Sequence, residues 1–358
     1  MNREIAVCVG MSWWKRRRIA EFFATPSGRP VFRRDVAAAV DEAAARGGAI
    51  AVWATREPAG LAEAAQTRGV PLVRVEDGFL RSIGLGSDFL PGVSIVLDEG
   101  GIYFDPDSGS DLERLLRDGD FDEALLARAH RLVDRIVASG ITKYNLAGSC
   151  MRIPWPPGRR RILVPGQVED DLSVRLGGGV VHGNLDLLAR VRAANPDAFI
   201  VYKPHPDVVA GHRKGAVGAA ALRQYADWIV RGGSIAALCG EIDELHTLTS
   251  LSGFEALLRR VPVTVYGRPF YAGWGLTRDV MPWDRGRLLS LEELAAGALI
   301  LYPRYLDPIT RQLCTPEKII DRLAQRELWR SDLLVAARRL QGRLLAVLRP
   351  SLPLFSRW

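Results

Sequence analysis

The sequence contains few cysteines and no motif that would use them. Its four cysteines, Cys8, Cys150, Cys239 and Cys314, are spread over 358 residues without a Cys-x-x-Cys spacing. Structural zinc sites and disulfide-stabilised scaffolds depend on closely spaced or regularly paired cysteines, so the pattern argues against both. Scattered free thiols are typical of a protein in a reducing compartment.

Long hydrophobic segments are also missing. No stretch approaches the ~18–20 consecutive apolar residues that a membrane-spanning helix needs. The opening segment MNREIAVCVG predicts a β-strand and not a signal peptide, because its apolar run is short and no small-residue cleavage site follows it. We therefore expect the protein to stay on the cytoplasmic side of the membrane.

Several common catalytic motifs do not occur. The sequence has no Walker A motif, no GxSxG, no HExxH and no GxGxxG after its first predicted strand. An NTPase, a serine hydrolase, a zinc protease and an NAD-dependent enzyme are accordingly poorly supported. No known nucleic-acid-binding module is present either, so nucleic acid is not an expected partner.

The sequence does have a globular composition with an excess of positive charge. Hydrophobic residues make up 48% of the chain, charged residues make up 25%, and the net charge is +7. The length is that of two domains or one large one. Much of the basic excess lies in Lys15–Arg18, Gly158–Ile162 and the C-terminal arginines. We therefore expect an anionic partner, such as an acidic membrane or a negatively charged substrate.

Short β-branched segments alternate with helical segments in two successive halves. EIAVCVG, GAIAVWA and PLVRVEDG predict strands in the first half, and RILVPG, AFIVYKPHP, HTLTS and PVTVYG predict strands in the second. Ser94–Asp105 differs, because it predicts a β-hairpin that turns at Glu99–Gly101. The proline-rich segment RIPWPPGRRR predicts a linker between the halves.

By analogy, two Rossmann-like halves predict an α/β protein of the GT-B architecture, with its active site in the cleft between two domains. We predict an N-terminal domain over residues 1–157, a C-terminal domain over 158–302 and C-terminal helices over 303–358. In the last segment, Leu333, Leu340 and Leu348 recur at helical spacing among arginines. Such a helix either lies on an anionic membrane surface or packs on the body with its basic face in solvent.

Two acidic clusters follow predicted strands at equivalent places in the two halves. Glu76 and Asp77 end the third strand of the first half, and Gln167–Asp171 follow the first strand of the second half. If the halves face each other, these carboxylates approach one cleft. Paired carboxylates suit glycosyl chemistry, because its transition state resembles an oxocarbenium ion. Taken alone, each cluster is equally explained by a solvated turn or a helix cap.

Two further strand ends carry groups that can bind phosphate. Lys203 and His205 lie in VYKPHPDV, where flanking prolines restrict the backbone. The alternative is a lone histidine in a turn beside a surface lysine. In HTLTSLSGFEALL, the residues Thr249, Ser250, Ser252 and Gly253 precede a helix whose N-terminal amides attract anions, and Glu255 can bind ribose hydroxyls. An ordinary capping box explains the same pattern without a ligand.

The loop YGRPFYAGWG, Tyr266–Gly275, is rich in glycine and aromatic residues. Its aromatic side chains can stack on a base or a sugar, and Arg268 can pair with a carboxylate. A packing loop at the domain interface explains the same composition.

The segments VEDGFLRS, LVPGQVEDD, YKPHPDV, TSLSGFEALL and GRPFYAGWGL, in this order, resemble the KpsC/LipB family of capsule polysaccharide β-Kdo transferases. The resemblance runs from about Trp13 to Pro308. KpsC proteins often carry two such modules in tandem, whereas this chain has one, most like the second. The basic tail after Arg326 lies outside the resemblance.

The resemblance implies a retaining glycosyltransferase that moves Kdo from CMP-β-Kdo to an anionic, Kdo-bearing glycolipid during capsule linker synthesis. The N-terminal domain would hold the acceptor and the C-terminal domain the CMP-sugar, without a further cofactor. No metal is required, because lysine, histidine and helix amides can neutralise the phosphate. The expected location is cytoplasmic and peripheral to the inner membrane, with capsule assembly and export machinery as possible partners.

Mapped onto the matching positions, the resemblance makes Asp171 the nucleophile and Glu76 or Asp77 the acid/base. The remaining substrate-binding set is Lys203, His205, Thr249, Ser250 and Ser252 around the phosphate, Glu255 at the ribose, Arg81 or Arg268 at the sugar carboxylate, and Gln167 without a more specific role. Two alternatives stay open: a non-catalytic module that binds polysaccharide or lipid for export, and a transferase for another CMP-activated ulosonic acid such as a sialic acid.

Overall fold

A computed structural model describes residues 4–145, 152–211, 213–230, 232–325 and 329. These residues form two β-sheets, each covered by helices. The sheets meet along one shared interface, and a cavity opens beside that interface at the ends of the strands. The leucine- and arginine-rich stretch around Leu333–Leu348 lies outside the described residues.

The first sheet has seven strands and is mixed, with its parallel part in the N-terminal half of the chain. The strands are β1 Ile5–Val9, β2 Val31–Arg33, β3 Ala49–Trp53, β4 Leu72–Asp77, β5 Ser94–Asp98, β12 Pro303–Leu306 and β13 Leu313–Cys314. Their order across the sheet is β13-β12-β5-β4-β3-β1-β2. Strands β1 to β4 run parallel, whereas β5 is antiparallel to both β4 and β12.

Helices surround this sheet, and three of them have side-chain N-caps. The helices are α1 Arg16–Phe22, α2 Val36–Ala45, α3 Leu61–Thr67, α4 Asp111–Asp118 and α5 Glu123–Ala138. Asp35, Ser110 and Asp122 each accept a hydrogen bond from a backbone N–H in the first turn of the helix that follows. Short polar side chains are favoured at these positions because they satisfy amides that the helix leaves unpaired.

The second sheet is entirely parallel over its six strands. The strands are β6 Arg161–Pro165, β7 Phe199–Lys203, β8 Trp228–Ile229, β9 Glu244–Thr247, β10 Val263–Val265 and β11 Arg278–Asp279, in the order β11-β10-β9-β6-β7-β8. The helices are α6 Leu172–Gly177, α7 Asn184–Ala194, α8 Pro206–Val209, α9 Ala219–Leu222, α10 Ile235–Cys239, α11 Leu251–Leu258 and α12 Leu291–Ala295, which continues as a π-helical turn over Ala296–Leu301. The all-parallel strands, with helices between most of them in the sequence, match the predicted Rossmann-like half.

The hairpin predicted over Ser94–Asp105 is wrong. Ser94–Asp98 form β5, which pairs with β4 and β12, and residues 99–110 contain no strand. The side chain of Asp98 ends the strand, because it accepts hydrogen bonds from the backbone N–H groups of Gly101 and Asp111 and from the Tyr302 hydroxyl. A buried carboxylate with three donors is well satisfied without a partner strand.

The chain returns to the first sheet after the second domain. The expectation of helices from residue 303 onward is wrong for residues 303–314, since β12 and β13 extend the N-terminal sheet. Helix α13, Pro316–Ala324, then packs against α5, where Arg128 pairs with Glu317 at 2.7 Å. In the described part of the chain, no helix is both long and apolar enough to cross a bilayer.

An aromatic contact joins the two sheets' domains. Phe79, just after β4, stacks on Phe270 at 4.7 Å between ring centroids and lies 6.0 Å from Phe254 in α11. All three are buried in one hydrophobic cluster that contains residues of both halves. This hydrophobic cluster therefore packs the two domains against each other, and polar residues follow the strands around it.

Candidate active site

A cavity of about 500 Å³ lies between the carboxyl ends of the strands of the two sheets. From the first half it is lined by Glu76, Asp77 and Arg81, and from the second by Gln167, Asp171, Lys203, His205, Thr249, Ser250, Ser252 and Glu255. The structure thus brings together the predicted site residues with the exception of Arg268. Carboxyl ends of parallel strands are the usual place for ligands in such folds.

Asp77 is held by two cations, the buried Arg81 and the partly buried Lys15. Its Oδ2 atom lies 3.0 Å from Lys15 Nζ and 2.9 Å from Arg81 Nε. Burial alone raises the pKa of a carboxyl group, but Arg81 and Lys15 outweigh burial and hold the pKa of Asp77 below its usual range. Asp77 is therefore a fixed negative charge at the end of β4.

Glu76 has the opposite environment although it is the adjacent residue. Its Oε1 accepts the backbone N–H of Asp77 at 3.0 Å, and its Oε2 is buried without a hydrogen-bond partner among the described residues. Burial, opposed by Lys15 and assisted by the charge of Asp77, raises the pKa of Glu76 to about 7. A carboxyl group with that pKa can exchange a proton at neutral pH.

The guanidinium of Arg81 binds other groups of the protein. Besides Asp77, it donates to Ser82 Oγ at 2.9 Å and to the Leu90 carbonyl at 3.0 Å, and Arg81 is 1% exposed. A Cβ at Gly86 would lie 2.5 Å from the same guanidinium. Arg81 therefore anchors Asp77 and the following loop, and it also lines the cavity.

Asp171 caps helix α6 and still faces the cavity. Its Oδ1 accepts hydrogen bonds from the backbone N–H of Ser173 at 3.0 Å and from Ser173 Oγ at 2.8 Å. Its Oδ2 lies 3.9 Å from a guanidinium nitrogen of Arg213, and the side chain is 42% exposed. The cap fixes one oxygen and orients the other, so capping and a chemical role are compatible.

His205 is positioned by its own helix. The residue caps α8, and its Nδ1 accepts the backbone N–H of Asp207 at 3.1 Å. A neutral imidazole that accepts at Nδ1 carries its proton at Nε2. Burial lowers the pKa of His205 even though Asp207 favours the charged form, so the ring stays neutral and has one N–H to donate. Pro206 provides the first residue of this helix.

Lys203 ends β7 next to this histidine. It is 7% exposed, and its Nζ donates to the carbonyl of Gly232 at 2.7 Å. The hydrogen bond directs the ammonium group along the loop that carries Gly233 and Ser234, both of which line the cavity. A buried cation beside a neutral histidine is a suitable environment for a phosphate.

Gln167 and Thr249 hold the ends of β6 and β9 together. Gln167 Nε2 donates to Thr249 Oγ1 at 2.9 Å, and the backbone N–H of Thr249 donates to Gln167 Oε1 at 3.0 Å. Next to them, Ser250 caps α11 by accepting from the backbone N–H of Ser252. The N-terminus of α11 thus opens on the cavity, where its dipole favours an anion.

Two residues of this segment, Gly253 and Glu255, are explained by contacts within the protein. Gly253 faces Tyr271, whose hydroxyl would overlap a Cβ there and donates to the Ser250 carbonyl, so the glycine is required by protein packing. Glu255 lines the cavity, but its Oε1 accepts the backbone N–H of Lys143 at 2.7 Å. Burial raises the pKa of Glu255. Its contact with Lys143 ties the two domains together.

The loop Tyr266–Gly275 is mainly a packing loop. Tyr271 and Trp274 are 0% exposed, and only Pro269 and Phe270 of the loop line the cavity. The guanidinium of Arg268 turns outward and pairs with Asp107 at 2.9 Å. The structure does not place Arg268 at the cavity, which corrects its prediction as a ligand of the sugar carboxylate.

Several lining residues were missed by the sequence reasoning. Lys15 belongs to the run KRRR and looks like surface charge, yet it is partly buried against the Trp53 ring at 3.3 Å. Its position in the turn directly after β1 was the available signal. Lys143 and Tyr144 also line the cavity, and nothing in their local sequence indicates it. Among the described residues, no group of three or more His, Cys, Asp and Glu is placed to hold a metal ion.

Comparison with known proteins places this architecture in a family. A family model described as capsule polysaccharide biosynthesis protein matches residues 48–305, well over half of the chain. The chain belongs to this family. The chain is 43% identical over 311 residues to the capsule polysaccharide modification protein LipA of Neisseria meningitidis serogroup A, covering 87% of the chain and 44% of LipA. It thus spans less than half the length of LipA.

Further relatives agree with this assignment. The family member is 43% identical over 262 residues to the lipopolysaccharide-processing protein LpsZ of Rhizobium meliloti, covering 72% of the chain and 59% of LpsZ. Two solved structures of Thermosulfurimonas dismutans KpsC each cover 90% of the chain. The β-Kdo 2,7 transferase matches with 36% identity, a TM-score of 0.73 and all of its own length covered. The β-Kdo 2,4 transferase matches with 30% identity, a TM-score of 0.76 and 99% of its length covered.

These matches confirm two predictions from the sequence. The chain is a KpsC/LipB-like protein, and its two Rossmann-like domains have the GT-B-like arrangement of the KpsC structures. The polar residues that line the cavity follow strands of both sheets.

Proposed function

We propose that this chain is a glycosyltransferase of capsule polysaccharide biosynthesis that moves Kdo from CMP-β-Kdo to a Kdo-bearing glycolipid with retention of configuration. One observation supports this most directly: Glu76 from one domain and Asp171 from the other line a single cavity. The structural likeness to two KpsC β-Kdo transferases over 90% of the chain supports the sugar. In this proposal residues 1–157 bind the acceptor and residues 158–302 bind the nucleotide.

The nucleotide side neutralises phosphate without a metal ion. Lys203 supplies a cation, His205 donates its Nε2 proton, and the first turn of α11 offers backbone N–H groups. These groups stabilise the negative charge that develops on CMP as it leaves. They are fixed by hydrogen bonds before the substrate arrives, so little reorganisation is needed in the transition state.

In the first step, Asp171 attacks the anomeric carbon of Kdo. Its Oδ2 forms the new C–O bond, the bond from the anomeric carbon to the phosphate oxygen breaks, and CMP leaves with the electron pair. The two hydrogen bonds from Ser173 to Oδ1 hold the carboxylate in the required orientation. The product of this step is a glycosyl ester on Asp171 with inverted configuration.

In the second step, Glu76 acts as the general base. Its Oε2 removes the proton of the acceptor hydroxyl, the acceptor oxygen bonds to the anomeric carbon, and the carboxylate of Asp171 leaves. Two inversions give net retention. Glu76 is better suited to this role than Asp77, because Asp77 is ion-paired to Lys15 and Arg81 whereas Glu76 Oε2 is unpaired among the described residues.

The experiment is transfer with purified protein, CMP-Kdo and a synthetic Kdo-bearing acceptor, with the product identified by mass spectrometry and its anomeric configuration by NMR. Asp171→Asn keeps the helix cap but loses the nucleophile, so transfer should fall ~10³-fold or more. Asp170→Asn is the matched control, because Asp170 is the adjacent carboxylate, pairs with Arg213 and is not part of the cavity lining. Equal rates for the Asp171 variant and wild type would rule out Asp171 as nucleophile.

The contacts of the site do not distinguish Kdo from another ulosonic acid as the donor sugar, because both carry a carboxylate at the anomeric carbon. Arg81 and Arg268, the two cations predicted for the sugar carboxylate, are both engaged by protein carboxylates. The described contacts therefore explain CMP better than the sugar, and another CMP-activated ulosonic acid such as a sialic acid is the alternative donor. Competition between CMP-Kdo and CMP-sialic acid in one assay decides between them. Binding of glycan or lipid without turnover of either donor would instead indicate a non-catalytic export module.

The proposed location follows from charge. A chain with a net charge of +7 suits an anionic donor, an anionic acceptor and an anionic membrane. We therefore propose that the reaction takes place at the cytoplasmic face of the inner membrane. The family's description as capsule polysaccharide biosynthesis proteins supports capsule assembly and export machinery as proposed partners. Co-sedimentation with vesicles of anionic phospholipid tests the membrane location, since the bound fraction should fall as salt rises.

A further inference from the structure

Three aromatic side chains form a rim at the cavity on the side of the first domain. This aromatic rim consists of Trp13, Trp14 and Phe89, and both tryptophan rings lie 5.8 Å from the Phe89 ring. Trp14 and Phe89 line the cavity, whereas Trp13 is 62% exposed. A large exposed aromatic surface beside a polar cavity is unusual for a residue that only packs.

The rim is fixed to the proposed acid/base centre. Lys15 Nζ lies 5.2 Å from the centre of the Trp14 ring and 3.0 Å from Asp77 Oδ2. On the other side, Arg81 pairs with Asp77 and donates to the carbonyl of Leu90, the residue after Phe89. A group on the rim is therefore within one side chain's length of the acidic pair.

The backbone of Phe89 is in an unfavourable conformation. Its φ of +65° is in the left-handed region, which a bulky residue other than glycine rarely adopts. The conformation is held by the hydrogen bond from the Phe89 N–H to the Gly86 carbonyl at 3.0 Å and by the anchoring of the loop through Arg81. Such strain persists when its surroundings impose it, and it often occurs in ligand-binding loops.

A further cation lines the same cavity as the rim. Arg56 follows β3, is exposed and lines the same cavity. Among the residues that the structure describes, Arg56 has no hydrogen-bond or ion-pair partner for its guanidinium, unlike Arg81 and Arg268. A guanidinium is well matched to a carboxylate, with which it forms two parallel hydrogen bonds.

We propose that the aromatic rim and Arg56 form the binding site for the terminal sugar of the acceptor, and that this sugar carries a carboxylate. The C–H face of its ring would lie on Trp14 and Phe89, while its carboxylate would pair with Arg56. The proposal rests on the proposed function for the direction of transfer. The recognition chemistry itself, an apolar ring face beside an anion, follows from the residues of the rim.

The test measures the binding of two probes by calorimetry in the presence of saturating CMP. The first probe is the methyl β-glycoside of Kdo, which has a free carboxylate, and the second is the methyl ester of that glycoside. The wild type should bind the acid at least tenfold more tightly than the ester. Arg56→Gln should bind both probes alike, at the level of the ester, and Trp14→Ala should weaken both at least tenfold. Arg34→Gln and Leu288→Ala, both exposed and outside the cavity lining, are the matched controls.

Turnover separates this inference from the proposed function. With CMP-Kdo and a Kdo-bearing acceptor, Trp14→Ala and Arg56→Gln should raise the acceptor KM far more than the donor KM. If the wild type transfers no sugar, the proposed function fails, yet the binding measurements still decide the sugar site. Wild-type affinity for the acid glycoside in both Trp14→Ala and Arg56→Gln would overturn the inference. Trp14→Phe, which keeps an aromatic face, should retain most of the binding and excludes misfolding as the cause.

Discussion

Lys15 reaches from the turn after β1 to the end of β4, and its Nζ lies 3.0 Å from Asp77 Oδ2. The contact lies beneath the cavity and joins residues 62 positions apart in the sequence. Arg81 and Lys15 together hold the pKa of Asp77 below its usual range, and the charge of Asp77 adds to burial in raising the pKa of the adjacent Glu76. Two neighbouring carboxyl groups with different pKa values are typical of sites that move a proton.

Replacement of Lys15 should shift the pH dependence of transfer. Lys15 lowers the pKa of Glu76, so Lys15→Met should raise that pKa further. Because the proposed base must be ionised, the ascending limb of kcat against pH should move to higher pH by about one unit or more. The measurement is the pH–rate profile, with Arg17→Gln as control, since Arg17 is in the same basic run but 77% exposed. An unshifted limb would mean that Glu76 does not set it.

Glu76→Gln should lower the rate of transfer and increase the stability of the fold at pH 8. Since the folded-state pKa of Glu76 is raised to about 7 from 4.5, the folded protein binds more protons than the unfolded chain between these values. Its stability therefore falls as pH rises through this window. At pH 8 the glutamine variant should be more stable than wild type by ~1–3 kcal/mol, and transfer should drop ~10²–10⁴-fold. Urea denaturation at pH 5 and pH 8 measures the first effect, and the gain should shrink at pH 5.

Local patterns predict the site well where it is built from strand ends. Glu76, Asp77 and Gln167–Asp171 follow β-branched runs, and in a sheet with parallel strands such positions converge at one edge. The histidine segment is found in the same way, because prolines mark the end of β7. These signals lie within a few residues of each functional side chain, so they can be read without the fold.

What local patterns cannot predict are the contacts between distant segments. Lys15 looks like solvent-exposed charge until Asp77 is placed beside it, and Arg268 looks available until Asp107 pairs with it. Strand β12 is missed for the same reason, because Pro303 pairs with Val96 although the whole second domain lies between them in the sequence. Pairing and burial at these positions depend on tertiary packing and not on propensity.

A covalent intermediate should be trapped when its breakdown is slowed. In Glu76→Gln the first step needs only Asp171 and the leaving nucleotide, whereas the second step lacks its base. A glycosyl ester on Asp171 should then accumulate with CMP-Kdo. Intact-mass spectrometry should show one added dehydrated Kdo unit, and peptide mapping should locate it at Asp171. The double variant with Asp171→Asn should show no adduct, and an adduct at another residue would reassign the nucleophile.

Arg81 and Arg268 should differ sharply in their contribution to folding. Arg81→Met leaves Asp77 with one cation and removes hydrogen bonds to Ser82 and Leu90 in a buried network, so we expect a loss of ~3–5 kcal/mol. Arg268→Gln removes a pair with Asp107, whose side chain is 70% exposed, and should cost ~0–1 kcal/mol. Chemical denaturation of both variants measures the difference. Similar losses would contradict the assignment of Arg81 as an internal anchor.

Gly253→Ala tests whether the glycine is needed for packing or for the ligand. An added Cβ would overlap the Tyr271 hydroxyl, which donates to the Ser250 carbonyl at 2.5 Å, so the variant should lose ~1–3 kcal/mol. Removing that hydroxyl in Gly253→Ala/Tyr271→Phe should recover part of the loss, which a double-mutant cycle measures. The alternative is that Gly253 mainly leaves room for the phosphate of CMP. In that case Gly253→Ala/Tyr271→Phe would bind CMP as weakly as Gly253→Ala alone. We expect CMP affinity and stability to recover together, because the clash displaces the cap at Ser250.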